Sequence, residues 1–207
     1  MKTAPALSVQ DRQSRLKPSE RFARAISWIG HPLVFVTVSV GLVISAQLPN
    51  RTGFIILLTL FVSVILPTAI LLFGGVRSGR WSDADVSVRA QRIHFYPIVI
   101  PILAVGVAAM WFLNAPGFLL RGTLVTLAVF ILAGIVNLRS KLSLHALFAV
   151  YCTTILFRVR PDFGLIALAL SLLVFWSRVY LGRHEPAEMI IGTLIGLAGG
   201  IATAWWP

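Results

Sequence analysis

Long apolar runs recur along this chain, and they limit its fold more than any other feature. Seven stand out, at about residues 31–48, 52–74, 95–113, 117–137, 144–157, 162–181 and 188–206. A hydrocarbon core of roughly 30 Å takes about 20 helical residues to cross, and backbone inside it must satisfy its own hydrogen bonds. Each run therefore reads as a helix, and the chain as an all-α integral membrane protein. The expected architecture is a polytopic bundle of six to seven transmembrane helices with its active site at one membrane face. Composition agrees, with 57% hydrophobic and 12% charged residues and a mean hydropathy of +0.88. The run at 144–157 is the shortest, and its length suits a buried or re-entrant helix as well as a span. A basic tail over 1–24, with no apolar signal region, precedes a single domain over 25–207. Residues 21–28 place Phe22 and Ile26 at helical spacing, as in a short interfacial helix.

The net charge of +11 would point to nucleic acid in a soluble chain, but here the basic residues flank apolar runs. They read as topology signals and anion ligands, so no nucleic-acid partner is expected. If all seven runs cross, fourteen Lys and Arg residues fall on the side of the N-terminal tail and four on the other. The positive-inside rule puts that tail and the site face in the cytoplasm, with a bacterial inner membrane as the expected location. All four histidines and six of the seven acids fall on the same side, with only Asp162 opposite. Cys152 is the sole cysteine, which argues against a disulfide or a cysteine metal site.

Three segments on that side carry chemistry. The last, between the sixth and seventh runs, holds Ser177, Arg178, Arg183, His184 and Glu188. Pro186 suits a first helical position. Glu188 four residues after His184 can keep one imidazole nitrogen protonated and leave the other free as nucleophile or base. The middle segment, Lys141-Leu142-Ser143-Leu144-His145, offers Ser143 as a helix cap, next to the free N–H groups of a helix start. The first contains Asp85, Arg89, Arg92 and His94, with both arginines on one helical side, suited to a phosphate or carboxylate. Alone, the last segment is as well read as a membrane-edge connection, and the middle and first segments are better read so. Together they supply the cations, donors, nucleophile and acid that phosphoryl transfer needs.

These segments resemble the three signatures of the type 2 phosphatidic acid phosphatase superfamily: Lys-x6-Arg-Pro, Pro-Ser-Gly-His and Ser-Arg-x5-His-x3-Asp. Ser177, Arg178, His184 and Glu188 match the third, with Glu for Asp. Ser143 and His145 match the second, with Leu142 and Leu144 for Pro and Gly, and Arg92 alone matches the first, where Asp85 replaces Lys and Ile93 replaces Pro. The chain looks closer still to a smaller branch with a His-Pro near its first span, here His31-Pro32, and an Arg-x-x-Arg in the first signature. The resemblance implies that His184 attacks phosphorus and is oriented by Glu188. His145 would protonate the leaving alkoxide and then activate water, while Arg92, Arg178, Ser143 and, in place of the lysine, Arg89 would bind phosphate. Asp85, His31, His94, Ser177 and Arg183 would surround them. It implies no metal and no cofactor, and a lipid phosphate as substrate: phosphatidate, phosphatidylglycerol phosphate or a polyprenyl phosphate or diphosphate.

Two other readings stand beside this one. Asp85 for Lys and Leu144 for Gly fit a catalytically inactive member that binds lipid phosphate head groups. A proton-coupled or anion transporter would need charge near mid-span, whereas the charges gather at one boundary. Gly192, Gly196 and Gly200, four apart, permit close helix packing and leave room for a homodimer.

Overall fold

The computed structural model describes residues 17–205, and all described secondary structure is helical. Eight helices follow in order: α1 (Pro18–Ile29), α2 (Pro32–Gln47), α3 (Asn50–Arg77), α4 (Arg89–Phe112), α5 (Gly117–Arg139), α6 (Leu144–Val159), α7 (Pro161–Tyr180) and α8 (Pro186–Trp205). Most of the basic tail, including Lys2, Arg12 and Arg15, lies outside the described residues, as does Trp206.

Prolines set many of the boundaries. Pro18, Pro32, Pro161 and Pro186 stand at first helical positions, where the missing N–H costs nothing. Within α3, the turn Phe61–Ile65 widens to a π-helix just before Pro67, which cannot donate to the preceding turn.

Five helices, α3, α4, α5, α7 and α8, are long and apolar enough to cross a membrane. They carry many large apolar side chains on their outer surfaces, including Phe54, Ile70, Trp111, Ile135, Leu172 and Leu194. Such a surface is compatible with a membrane protein. The first and fifth runs expected as spans take other forms. The first is the 16-residue α2, which meets α1 at a 51° bend, and the pair is long enough to cross only if taken as one broken span. The fifth is the 16-residue α6, whose residues from Leu144 to Ala149 are all buried. It is apolar because it is enclosed by protein: α7, α8 and α2 pack around it.

The glycine stripe of α8 faces α6. A Cβ added at Gly192 would lie 2.5 Å from the Ser143 carbonyl oxygen, and one at Gly196 would lie 2.2 Å from that of Leu147. Only glycine lets the two backbones approach this closely, and inside hydrocarbon such van der Waals contact is what holds helices together. The stripe is thus filled from within the chain and is no free dimer face. Trp81, Phe95, Tyr96, Phe130, Phe148 and Tyr151 form a ladder of rings with successive centroids 5.2 to 6.5 Å apart. It ties the connection after α3 to the core.

Candidate active site

Four connections meet beside the start of α6: the α1–α2 bend, the α3–α4 loop, the α5–α6 turn and the α7–α8 turn. Gly182, with φ of 62°, turns the chain back after α7, and Pro186 starts α8 two residues beyond His184. His184 is 5% exposed. Its Nδ1 lies 2.6 Å from Glu188 Oε2, one helical turn away, so the carboxylate holds the ring proton there. Its Nε2 is buried without a hydrogen-bond partner. Burial, with Arg178, Lys141, Arg92 and His145 acting in the same direction, pushes the His184 pKa down to about 2. The ring is neutral at Nε2, with a free lone pair.

Lys141 fixes the carboxylate from the other side, with Nζ 3.5 Å from Glu188 Oε2 while it donates to the Arg183 carbonyl at 2.8 Å. Ser143 caps α6 as its sequence implies, accepting from the Ala146 N–H at 3.3 Å. Its own N–H donates to the Glu188 carbonyl at 3.1 Å, which pins the start of α6 to the first turn of α8. His145 follows, buried and hydrogen-bonded to the Ser27 backbone. Its Nε2 has no hydrogen-bond partner and lies 3.6 Å from Asp85 Oδ1.

Arg178 is 1% exposed. Nη1 donates to Ser27 Oγ at 2.7 Å and to Asp85 Oδ2 at 2.6 Å, while Nε and Nη2 have no partner. Buried polar atoms are nearly always paired, because an unpaired one costs about 1–3 kcal/mol. Here four unpaired nitrogens come from His145, Arg178 and His184 alone. The two on Arg178 are donors that suit an anion with several acceptor oxygens, while His184 Nε2 offers a lone pair. Among the described residues, no group of three or more His, Cys, Asp or Glu side chains is placed to hold a metal ion.

The remaining candidates fall into two groups. Arg92, fully buried, donates to the carbonyls of Val86 at 2.8 Å and Leu142 at 2.6 Å, clamping the α3–α4 loop to the α5–α6 turn. His31 accepts the Leu33 N–H on Nδ1, and its Nε2 lies 3.7 Å from Asp85 Oδ1. Both belong to the site. Arg89, expected to bind phosphate, is turned away: it donates to the carbonyls of Asn137 and Leu138 at the end of α5, where a cation meets the negative end of the helix. His94 is exposed on α4. Ser177 donates to the Val174 carbonyl of its own helix at 2.8 Å. Arg183 pairs with Asp83 at 3.2 Å.

The sequence reading did not include Ser27 or Lys141 in the site. No motif marks Ser27, which reaches Arg178 only because α1 packs on α7. Lys141 stands two residues before Ser143, but its aim at Glu188 depends on α6 meeting α8.

An apolar passage leaves this site. A cavity of about 100 Å3 is lined by His31, Asp85, His145, Phe130 and Phe148 among others. It shares Val36, Val64, Ile65, Leu103 and Thr126 with a second cavity of about 410 Å3 that runs to Gln47, Arg121 and Arg158. Val64 and Ile65 belong to the π-helical turn of α3. No family model, curated protein or solved structure matches the chain.

Proposed function

We propose that the protein is an integral membrane phosphatase acting on a lipid phosphate, through a phosphohistidine and without a metal. One observation carries this reading: a neutral His184 whose Nδ1 is held by Glu188 and whose buried Nε2 stands unpaired in the same cluster as two unpaired nitrogens of Arg178. A phosphoryl group received by Arg178 would be attacked by the Nε2 lone pair. The P–N bond forms, the ester P–O bond breaks, and the leaving alkoxide takes a proton from His145, which enters the step protonated at Nε2 beside the Asp85 carboxylate. Water, losing its proton to His145, then attacks phosphorus, and the P–N bond breaks to release phosphate and His184. Arg92 and Lys141 add positive field as charge develops.

The adjoining passage supports a lipid as the leaving group. His145 lines the smaller cavity, so an alkoxide protonated there would lie against apolar space, and the larger cavity beside it has the volume of a ligand pocket. On this reading the α1–α2 pair is a broken span, and the basic loops of the site face the cytoplasm of a bacterial inner membrane. Detergent-purified protein is expected to release phosphate from a panel of lipid phosphates in chelator, and His184→Ala and His145→Ala are expected to abolish it. Release that survives His184→Ala would sink the mechanism.

Asp85 favours a second reading, in which the protein binds lipid phosphate head groups without turnover. A carboxylate already sits on Arg178, where a fully open phosphatase site would be free. Binding of lipid phosphate with no phosphate release would support it.

A further inference from the structure

Asp85 is an acid at the centre of a basic cradle. Oδ2 takes Arg178 Nη1 at 2.6 Å, while Oδ1 faces His145 Nε2 at 3.6 Å and His31 Nε2 at 3.7 Å. A phosphoryl group delivered to the unpaired Nε and Nη2 of Arg178 meets the same guanidinium and the same imidazole. Carboxylate and phosphoryl oxygens would then sit on different nitrogens of one guanidinium, close enough to repel each other and to share its charge.

The turn that carries Asp85 is held under strain. Val86 has φ of 46°, in the left-handed region that a β-branched side chain occupies only at a cost. It is kept there by burial and by Arg92 Nε, which donates to its carbonyl at 2.8 Å. Asp83 secures the other side of the turn, accepting the Ser87 N–H at 3.1 Å, the Ser87 hydroxyl, and Arg183 Nη1 at 3.2 Å. A strained turn that holds a carboxylate on the catalytic arginine has two things to release when the carboxylate moves aside.

We propose that Asp85 is the specificity-determining residue of this site: it occupies the phosphoryl cradle as an internal carboxylate, which excludes free inorganic phosphate and admits phosphoryl groups borne on a lipid. The proposal rests on reading the cradle as a phosphoryl site. Inorganic phosphate has only the cradle contacts with which to displace Asp85. A lipid adds the contacts of its chain along the passage beginning at His145 and Phe148, and that binding energy offsets displacement of the carboxylate. The same device keeps the phosphate product from lingering after the lipid alcohol has left.

Calorimetric titration of inorganic phosphate into the full chain in detergent tests this. Asp85→Asn keeps the shape and removes the charge, and is expected to bind phosphate at least about tenfold more tightly than wild type, the scale of one charge-assisted contact. Asp83→Asn, which loosens the turn from outside the cradle, is expected to give a smaller gain, and decides the matter if Asp85→Asn does not fold. Phosphate affinity within about twofold of wild type in both variants, or no phosphate binding by any of them, overturns the proposal. Lipid phosphate turnover by the same wild-type sample separates the two readings. A gain in phosphate affinity without wild-type turnover removes the enzyme and keeps the internal carboxylate. Turnover without the gain does the reverse.

Discussion

Gly196→Ala puts one methyl group where the structure has no room for it. The new Cβ would stand 2.2 Å from the Leu147 carbonyl oxygen, 3.0 Å from its carbonyl carbon and 3.1 Å from its Cα. All three are backbone atoms of a buried helix, so no rotamer change can relieve the clash. Ordinary contact needs at least about 3.4 Å, so α8 must move from α6 by on the order of 1 Å. Overpacking of this kind costs about 1–3 kcal/mol, and for a chain of this size each kcal/mol lowers Tm by roughly 2–4 °C. The functional effect is larger, because the first turn of α8 carries Glu188 beside His184 while the first turn of α6 carries His145 behind its cap Ser143. A misplacement of about 1 Å between reacting groups can cost about 100-fold in rate. Tryptophan-fluorescence melting and lipid phosphate turnover, measured on one detergent preparation, read both effects. Gly74→Ala on α3 is the control, since nothing lies within 4 Å of its added Cβ. Wild-type Tm and turnover in folded Gly196→Ala would refute the claim that the α6–α8 contact assembles the site.

Two further substitutions probe electrostatics. With its pKa pushed down to about 2, folded His184 stays neutral where an open-chain histidine gains a proton near 6.5. Below pH 6.5 the unfolded chain therefore binds a proton that the folded chain refuses, and stability falls as pH drops. His184→Gln is expected to flatten that fall by up to about 1.4 kcal/mol per pH unit between pH 6 and 4, read by melting across the range. Arg89→Ala is expected to leave KM near wild type and to lower stability by about 0.3–1 kcal/mol, because Arg89 serves the end of α5. A tenfold rise in KM would return it to phosphate binding.

The α7–α8 turn was the most legible part of the site, since a histidine and an acid four apart behind a helix-starting proline need only one turn of helix to meet. Ser143 was legible for a similar reason: its capping bond reaches only Ala146. Four features were not local and so were not legible. Apolar residues that face lipid and apolar residues enclosed by protein look alike in one dimension, so only the shortness of the 144–157 run set α6 apart, and a span and a buried helix both stayed open. Arg89 and Arg92 share a helical side in sequence, yet a three-residue step sends one to the end of α5 and the other into the loop clamp. The glycine stripe showed that something packs closely on α8, but only the fold shows that the partner is α6. Asp85 stood in sequence as a missing cation. In space it lies between Arg178, His145 and His31.

Trapping the phosphorylated enzyme tests the central claim most directly. Wild-type protein quenched in base during turnover of a lipid carrying a radiolabelled phosphate is expected to hold an acid-labile, base-stable label on His184. His145→Ala is expected both to form the label and to lose it more slowly, because His145 serves the leaving alkoxide and the attacking water, Glu188→Gln to form it about 100-fold or more slowly because the ring has lost its orienting carboxylate, and His184→Gln to carry none. Turnover by the wild type with no label on His184, or an equal label in His184→Gln, would contradict the account.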